Sequence, residues 1–387
     1  DRWNDSSCLD DIDALLTLGA DDPADFAAGD LLDIRDTGNG TGRTGTLTDS
    51  TLSGLGMGGS IAYGGVEDLD LALGSGDDTL RIKSISAITT VTGGSGDDQI
   101  NVWDDDYRVS GITQLLTIDA GDPSASDRLD IRDTGNSDPV TGNLTSNTLT
   151  LSSMSGSIAY SNVEGLTISL GSGADGFTIQ TTHGGTTTLN AGGGVDVVTV
   201  EMVMGVTTVN GEGGNDLVHV RTIDAATTVN GGAGDDTINV GTLAPVTGGN
   251  VNRILALLTV NGDSGSDTLN VDDTSDATGN AGQLTTGRLT GLGMHEEGED
   301  ADYLDDASFG VTYGTLEGLN INLGSGGDIF HILSTHSGTT DLGTNAGADV
   351  VNVQTTAGRT TVVTGAGNDT INVGGLVPTL SGGTLNG

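Results

Sequence analysis

Short stretches in which every second residue is apolar recur along the chain. Thr227-Thr228-Val229 is followed by a Gly/Asp turn and then by Thr237-Ile238-Asn239-Val240. Alternation with period two predicts two short strands, each with one face inward. Val229, Ile238 and Val240 are expected in the core, with Thr228 and Asn239 outward. The same strand–turn–strand unit returns many times, so the chain reads as a repeat protein rather than as the two or three domains its 387 residues would suggest. No apolar run approaches the ~20 residues that a membrane-crossing helix needs.

The turn itself has a pattern, Gly-Gly-x-Gly-x-Asp-x-U-x, with U a large apolar residue. Gly93-Gly94-Ser95-Gly96-Asp97-Asp98-Gln99-Ile100-Asn101 and Gly231-Gly232-Ala233-Gly234-Asp235-Asp236-Thr237-Ile238-Asn239 are the fullest copies. Alignment places the sixth-position Asp at Asp30, Asp78, Asp98, Asp127, Asp175, Asp196, Asp216, Asp236, Asp267, Asp328, Asp349 and Asp369. Asp30 and Asp127 have Ala28 and Ala125 where the others have Gly, so those two turns depart from the pattern. Successive steps of 20 or 21 residues, as from Asp175 through Asp236, give the period of a solenoid.

A longer repeat overlies the short one. Leu15-Leu16-Thr17-Leu18, Leu115-Leu116-Thr117-Ile118 and Leu257-Leu258-Thr259-Val260 each open a block. Then come Leu32-Asp33-Ile34-Arg35-Asp36-Thr37, its copy at Leu129 and a drifted copy at Leu269. Within each block a Tyr then precedes a Val/Leu-Glu pair: Tyr63 with Val66-Glu67, Tyr160 with Val163-Glu164, Tyr313 with Leu316-Glu317. The expected organisation is one continuous solenoid over residues 1–387, with blocks 1–114, 115–256 and 257–387. The third block carries an acidic insertion at 295–306, read as a solvated loop. Trp3, Asp5, Ile12, Leu15 and Leu16 repeat at an offset of 100 in Trp103, Asp105, Ile112, Leu115 and Leu116. The chain is thus read as beginning where a coil has just ended, which suggests a segment of a longer repeat protein, or a unit that stacks end to end, because a solenoid needs caps or neighbours.

Composition sharpens the picture. Sixty-six glycines and 3% aromatic residues suit many tight turns around a thin core. A net charge of −42 argues against nucleic-acid or anionic-membrane partners and makes cations the natural counter-charge. Glycine turns offer backbone carbonyls beside a fixed carboxylate, and Ca²⁺ seeks six to eight such oxygens. If coils rise by about 4.8 Å, the carboxylate of one turn lies near the carbonyls of the next. The same stacking repels without a metal, so folding is expected to be calcium-linked.

The nonapeptide resembles that of the RTX, or hemolysin-type, calcium-binding repeat family, and the long Gly/Thr-rich blocks resemble very large repetitive bacterial surface proteins. The resemblance implies calcium ligands at Asp78, Asp98, Asp175, Asp196, Asp216, Asp236, Asp267, Asp328, Asp349 and Asp369, with Asp77, Asp97 and Asp235 beside them. The family runs its nonapeptides in tandem on both edges of a coil. Here the motifs stand about 20 residues apart, so only one edge is expected to carry them.

Together these observations predict an all-β, right-handed parallel β-solenoid of about 20 residues per coil, with Gly/Asp turns stacked on one edge. The expected function is that of an extracellular or cell-surface calcium-binding structural protein, a stalk, adhesin spacer or filament subunit, and not an enzyme. Its expected partners are calcium ions and a further copy or continuation of itself. Carboxylate pairs such as Asp77-Asp78 could be read as glycosidase acids, but they recur in coil after coil whereas an active site is usually unique. A carbohydrate-active β-helix, or an accessory module of one, is the alternative, although one Lys and few aromatics count against it. An ice- or surface-binding module is another, given Thr187, Thr208 and Thr228 as an outward Thr column. His219 and His331 are expected at outward strand positions, Cys8 as a stray thiol, and Asn4, Asn39 and Asn143 as sequons.

Overall fold

A computed structural model describes residues 8–19, 29–122, 126–294 and 308–375. The described residues form 33 short strands and no helix. The strands lie in two mostly parallel sheets of 18 and 15 strands. This is the arrangement of a parallel β-solenoid. The acidic insertion 295–306 lies outside the described residues, as does Asn4.

The chain divides into two compact units, residues 1–175 with 182–190, and residues 176–181 with 191–387. In the first unit Asp68–Ala72, Ile88–Thr92 and Leu115–Asp119 stack in parallel in one sheet. Thr79–Ile82, Gln99–Val102, Arg128–Arg132, Gly165–Ser169 and Thr186–Asn190 stack in the other. In the second unit Thr207–Asn210, Thr227–Ala233, Leu258–Ser264 and Val311–Gly314 form one stack. Val197–Val200, Leu217–Val220, Thr237–Val240, Thr268–Asp272 and Gly318–Asn322 form the other.

Like residues sit over like. Val218, Ile238, Leu269 and Leu319 are in register in successive rungs, and all are buried. Val229, Ile238 and Val240 are in the core as the alternation requires, and Thr228 and Asn239 face outward. The outward side chains also stack. Asn320 Nδ2 donates to Asn270 Oδ1 at 2.8 Å, Asn270 Nδ2 to Asn239 Oδ1 at 2.9 Å, and Asn239 Nδ2 meets His219 Nδ1 at 3.1 Å. On the other sheet Asn261 donates to Asn230 at 2.8 Å, and Asn230 to Asn210 at 2.7 Å.

Two outward expectations need correction. Thr187 is buried, because Leu189 fixes the phase of its strand and the residue two before a core side chain also points inward. The outward threonines of that strand are Thr186 and Thr188. His219 and His331 hold outward strand parity but are only 4% and 2% exposed, because neighbouring rungs cover them.

The longer repeat corresponds to an antiparallel strand set between two parallel ones. Thr51–Gly54 runs antiparallel to both Thr44–Leu47 and Ser60–Gly64. Thr148–Leu151 does the same between Thr141–Leu144 and Ser157–Ser161, and Arg288–Gly291 between Ala281–Leu284 and Val311–Gly314. The tyrosine of each block ties this excursion down: Tyr160 Oη donates to Thr145 O at 2.6 Å, Tyr313 Oη to Thr285 O at 2.6 Å, and Tyr63 Oη to Thr48 O. In Gly54-Leu55-Gly56 three successive residues have positive φ, and Leu55 is fully buried. It fills the space left by Gly45, where a Cβ would stand 2.7 Å from Leu55 Cγ.

Candidate functional site: stacked carboxylates at the turns

At the turns of Asp98, Asp216, Asp236 and Asp267 the sixth-position Asp folds back over the first residue of its own motif. A Cβ on Gly93 would lie 2.6 Å from Asp98 Oδ2, so glycine makes room for the carboxylate. The other carboxylate oxygen reaches to the preceding coil. In the first unit Arg43 N donates to Asp78 Oδ1 at 2.7 Å, Asp78 N to Asp98 Oδ1 at 2.8 Å, and Asp98 N to Asp127 Oδ1 at 2.7 Å. In the second unit Asp196 N, Asp216 N and Asp236 N donate to Asp216, Asp236 and Asp267, each at 2.8 Å. A separate run in that unit takes Asn280 N to Asp328, Asp328 N to Asp349 and Asp349 N to Asp369. Val140 N donates to Asp175 Oδ1 at 2.7 Å.

The fifth position works in the opposite direction. Asp97 N donates to Asp77 Oδ1 and Ser126 N to Asp97 Oδ1, both at 3.0 Å. Asp235 N donates to Asn215 Oδ1 and Ser266 N to Asp235 Oδ1, both at 2.9 Å. The sixth residue therefore caps the coil before it, and the fifth residue caps the coil after it. Asp77, Asp97 and Asp235 are exposed, whereas Asp78, Asp98, Asp175, Asp196, Asp216, Asp236, Asp267, Asp328 and Asp349 are buried and Asp369 is half-buried.

The expected single row of turns is broken into separate runs, for a reason the sequence motif hides. Asp127 N donates to Glu164 Oε2 at 2.9 Å, and Glu164 N returns to Asp127 O at 3.0 Å. Glu164 has thus spent its amide backwards and ends the run. Glu317 does the same to Asp267, and Glu67 to Asp30. The glutamates next to the tyrosine blocks are chain stops, a role that motif alignment did not assign. Asp127, in a turn that departs from the glycine pattern, is a full member. A second set was also missed: Asp36, Asp133 and Asp273 accept the amides of Leu9, Val109 and Val251 at 3.0, 3.1 and 3.1 Å.

Six of the motif aspartates, Asp98, Asp127, Asp216, Asp236, Asp267 and Asp328, leave Oδ2 buried with no hydrogen-bond partner. Two resolve it: Asp78 Oδ2 accepts Gly74 N at 3.1 Å, and Asp349 Oδ2 accepts the Thr344 hydroxyl at 2.6 Å. Burying a half-satisfied carboxylate disfavours its charged form. Burial, with the neighbouring aspartates adding to it, pushes the Asp98 carboxyl up to about 7 against the pull of the Asp78 amide. Burial likewise raises Asp216 to about 7 and Asp127 to about 6. Asp175, Asp236, Asp267 and Asp328 are raised by burial too. Asp273, more deeply buried and beside Asp276, is pushed up to about 8.

A buried anionic oxygen without a donor fits a cation, and in this respect the residues suit calcium. Six turns supply one such carboxylate each. Among the described residues no three Asp, Glu, His or Cys side chains gather as a metal-holding group. An ion here would draw its other ligands from backbone carbonyls and water. Cys8 is exposed and unpaired with any other thiol. Asn39 is buried and donates to Asp36 at 3.4 Å, so the sequon there is part of the packing. No family model matches the chain, and no curated protein matches it.

Proposed function

We propose that this chain is an extracellular structural repeat protein, a stalk, adhesin spacer or filament subunit, whose aspartate turns take up calcium. The observation that carries this reading is the run of buried carboxylates, each with one oxygen on an amide of the preceding coil and, at six positions, the other oxygen without a donor. The same environment repeats in coil after coil, which favours a structural over a catalytic role.

Circular dichroism in excess chelator, followed by addition of about millimolar Ca²⁺ or Mg²⁺, tests the reading. Loss of strand signal in chelator and its return with Ca²⁺ alone is the expected result. A spectrum and melting point indifferent to the chelator would remove calcium and leave a second reading, a turn device held by amides and protons. That reading rests on the Oδ1–amide bonds along each run and on the carboxyls of Asp98 and Asp216, raised by burial to about 7.

A further inference from the structure

The chain has few cations, 12 Lys and Arg against 54 Asp and Glu, yet the outward face of one sheet in the first unit reverses the ratio. On Thr79–Ile82, Gln99–Val102 and Arg128–Arg132 the outward positions carry Arg81, Arg128 and Arg132 against the single acid Asp130. Trp103 follows the middle strand and organises two of them. Its ring centroid lies 4.4 Å from the Arg132 Cζ and 5.6 Å from the Arg81 Cζ. Arg81 is further held by Trp103 O at 3.3 Å and Asp104 O at 2.5 Å, and Arg132 by Asp130 at 2.5 Å. These guanidinium groups are fixed before any ligand arrives. The next strand, Gly165–Ser169, opens with a residue that has no side chain, and a hollow of about 630 Å³ lies there. Gln99, Arg128, Asp130, Glu164, Thr186 and Thr188 are among its walls. Arg128 is exposed and makes no salt bridge among the described residues.

We propose that this hollow binds an acidic polysaccharide, one carboxylate of which pairs with Arg128 while neighbouring sugar hydroxyls meet the carboxylate, amide and hydroxyl groups around it. A free guanidinium offers a bidentate pair to a planar carboxylate. Asp130 and Glu164 accept from hydroxyls, and Gln99, Thr186 and Thr188 both donate and accept. A polyanion is repelled by most of this acidic protein, whereas the hollow sets Arg128 and Arg132 against Asp130 and Glu164, so it is near neutral and is where a polyanion can settle.

Affinity electrophoresis of the whole chain through gels holding polygalacturonate, its methyl ester, or heparin tests the proposal, with circular dichroism of each variant as a folding control. Retardation by polygalacturonate, lost on methyl esterification, is expected. Arg128→Ala should weaken it about tenfold or more, the loss of one charge-assisted pair. Gly165→Thr should abolish it by filling the hollow. A Cβ at Gly165 meets nothing closer than Thr186 Oγ1 at 3.5 Å and Arg128 Cγ at 3.6 Å, so that variant should keep its fold. Equal retardation by the methyl ester, or retention by heparin alone, would overturn the carboxylate assignment. Calcium bridging of two polyanions would leave both variants retarded like the wild type, and would overturn the site.

Discussion

Replacing Asp216 by Asn separates the two roles that its carboxylate combines. Asp216 is 2% exposed; Oδ1 accepts the Asp196 amide at 2.8 Å, and Oδ2 has no partner. Asn keeps an oxygen for that amide and removes the charge. Holding this carboxyl at about 7 rather than 3.8 corresponds to an ionisation cost on the order of 4 kcal/mol, an upper figure for what Asn relieves at pH 8. Without calcium, Asp216→Asn should therefore be at least as stable as the wild type. Asp216→Ala removes the same charge but leaves the buried Asp196 amide unpaired, and should be about 1–3 kcal/mol less stable than Asp216→Asn. With calcium the order changes. An ion present at a hundred times its dissociation constant adds about 2.7 kcal/mol per site, and both variants forfeit it at this turn. Urea unfolding at pH 8, in chelator and in Ca²⁺, reads all of these terms. If Asn falls as far as Ala in chelator, the Oδ1–amide cap is not what the carboxylate contributes and the reasoning fails. A calcium increment unchanged in Asp216→Asn would strike Asp216 from the ligands.

Stability in chelator should fall as pH rises. The folded state holds protons on Asp127, Asp98, Asp216 and Asp273 up to about 6, 7, 7 and 8, above the ordinary 3.8, so their contribution is complete below about pH 4 and is lost through pH 6–8. Melting temperatures that climb between pH 5 and 8 would contradict this. Glu164→Gln keeps an acceptor for the Asp127 amide and should be nearly silent, whereas Glu164→Ala should cost about 1–3 kcal/mol, read by denaturant titration; equal losses would deny the glutamate its role as a stop. Tyr160→Phe removes the 2.6 Å bond to Thr145 O and should cost about 1 kcal/mol, with faster hydrogen exchange at Thr145–Thr148; unchanged exchange would mean the hairpin is held by its own ladder.

The solenoid was legible because its signal is repeated and local. Alternation puts Ile238 and Val240 inside without reference to any partner, and a 20-residue step fixes what stacks on what. Phase was lost where the side chains are alike: Thr186-Thr187-Thr188 carries no alternation, so only Leu189 reveals which threonine turns inward. The antiparallel strands were not legible, since Thr51–Gly54 has the same period as a parallel strand and its direction is set by partners. Asp78 and its equivalents were identified from spacing, but not what they hold. Their amide partners lie one coil away, and Glu164 enters the same series with none of the motif around it.

The asparagine columns give the molecule a sense of direction. In the second unit each side-chain amide donates toward the earlier coil, Asn261 to Asn230 to Asn210 on one sheet and Asn320 to Asn270 to Asn239 on the other. Their dipoles add head to tail, and each bond polarises the next. The columns run through the interior of the stack and end on rungs already in place, at Asp341 beside Asn320 and at Gly314 beside Asn261, so each stack is a vector, with a leading and a trailing rung.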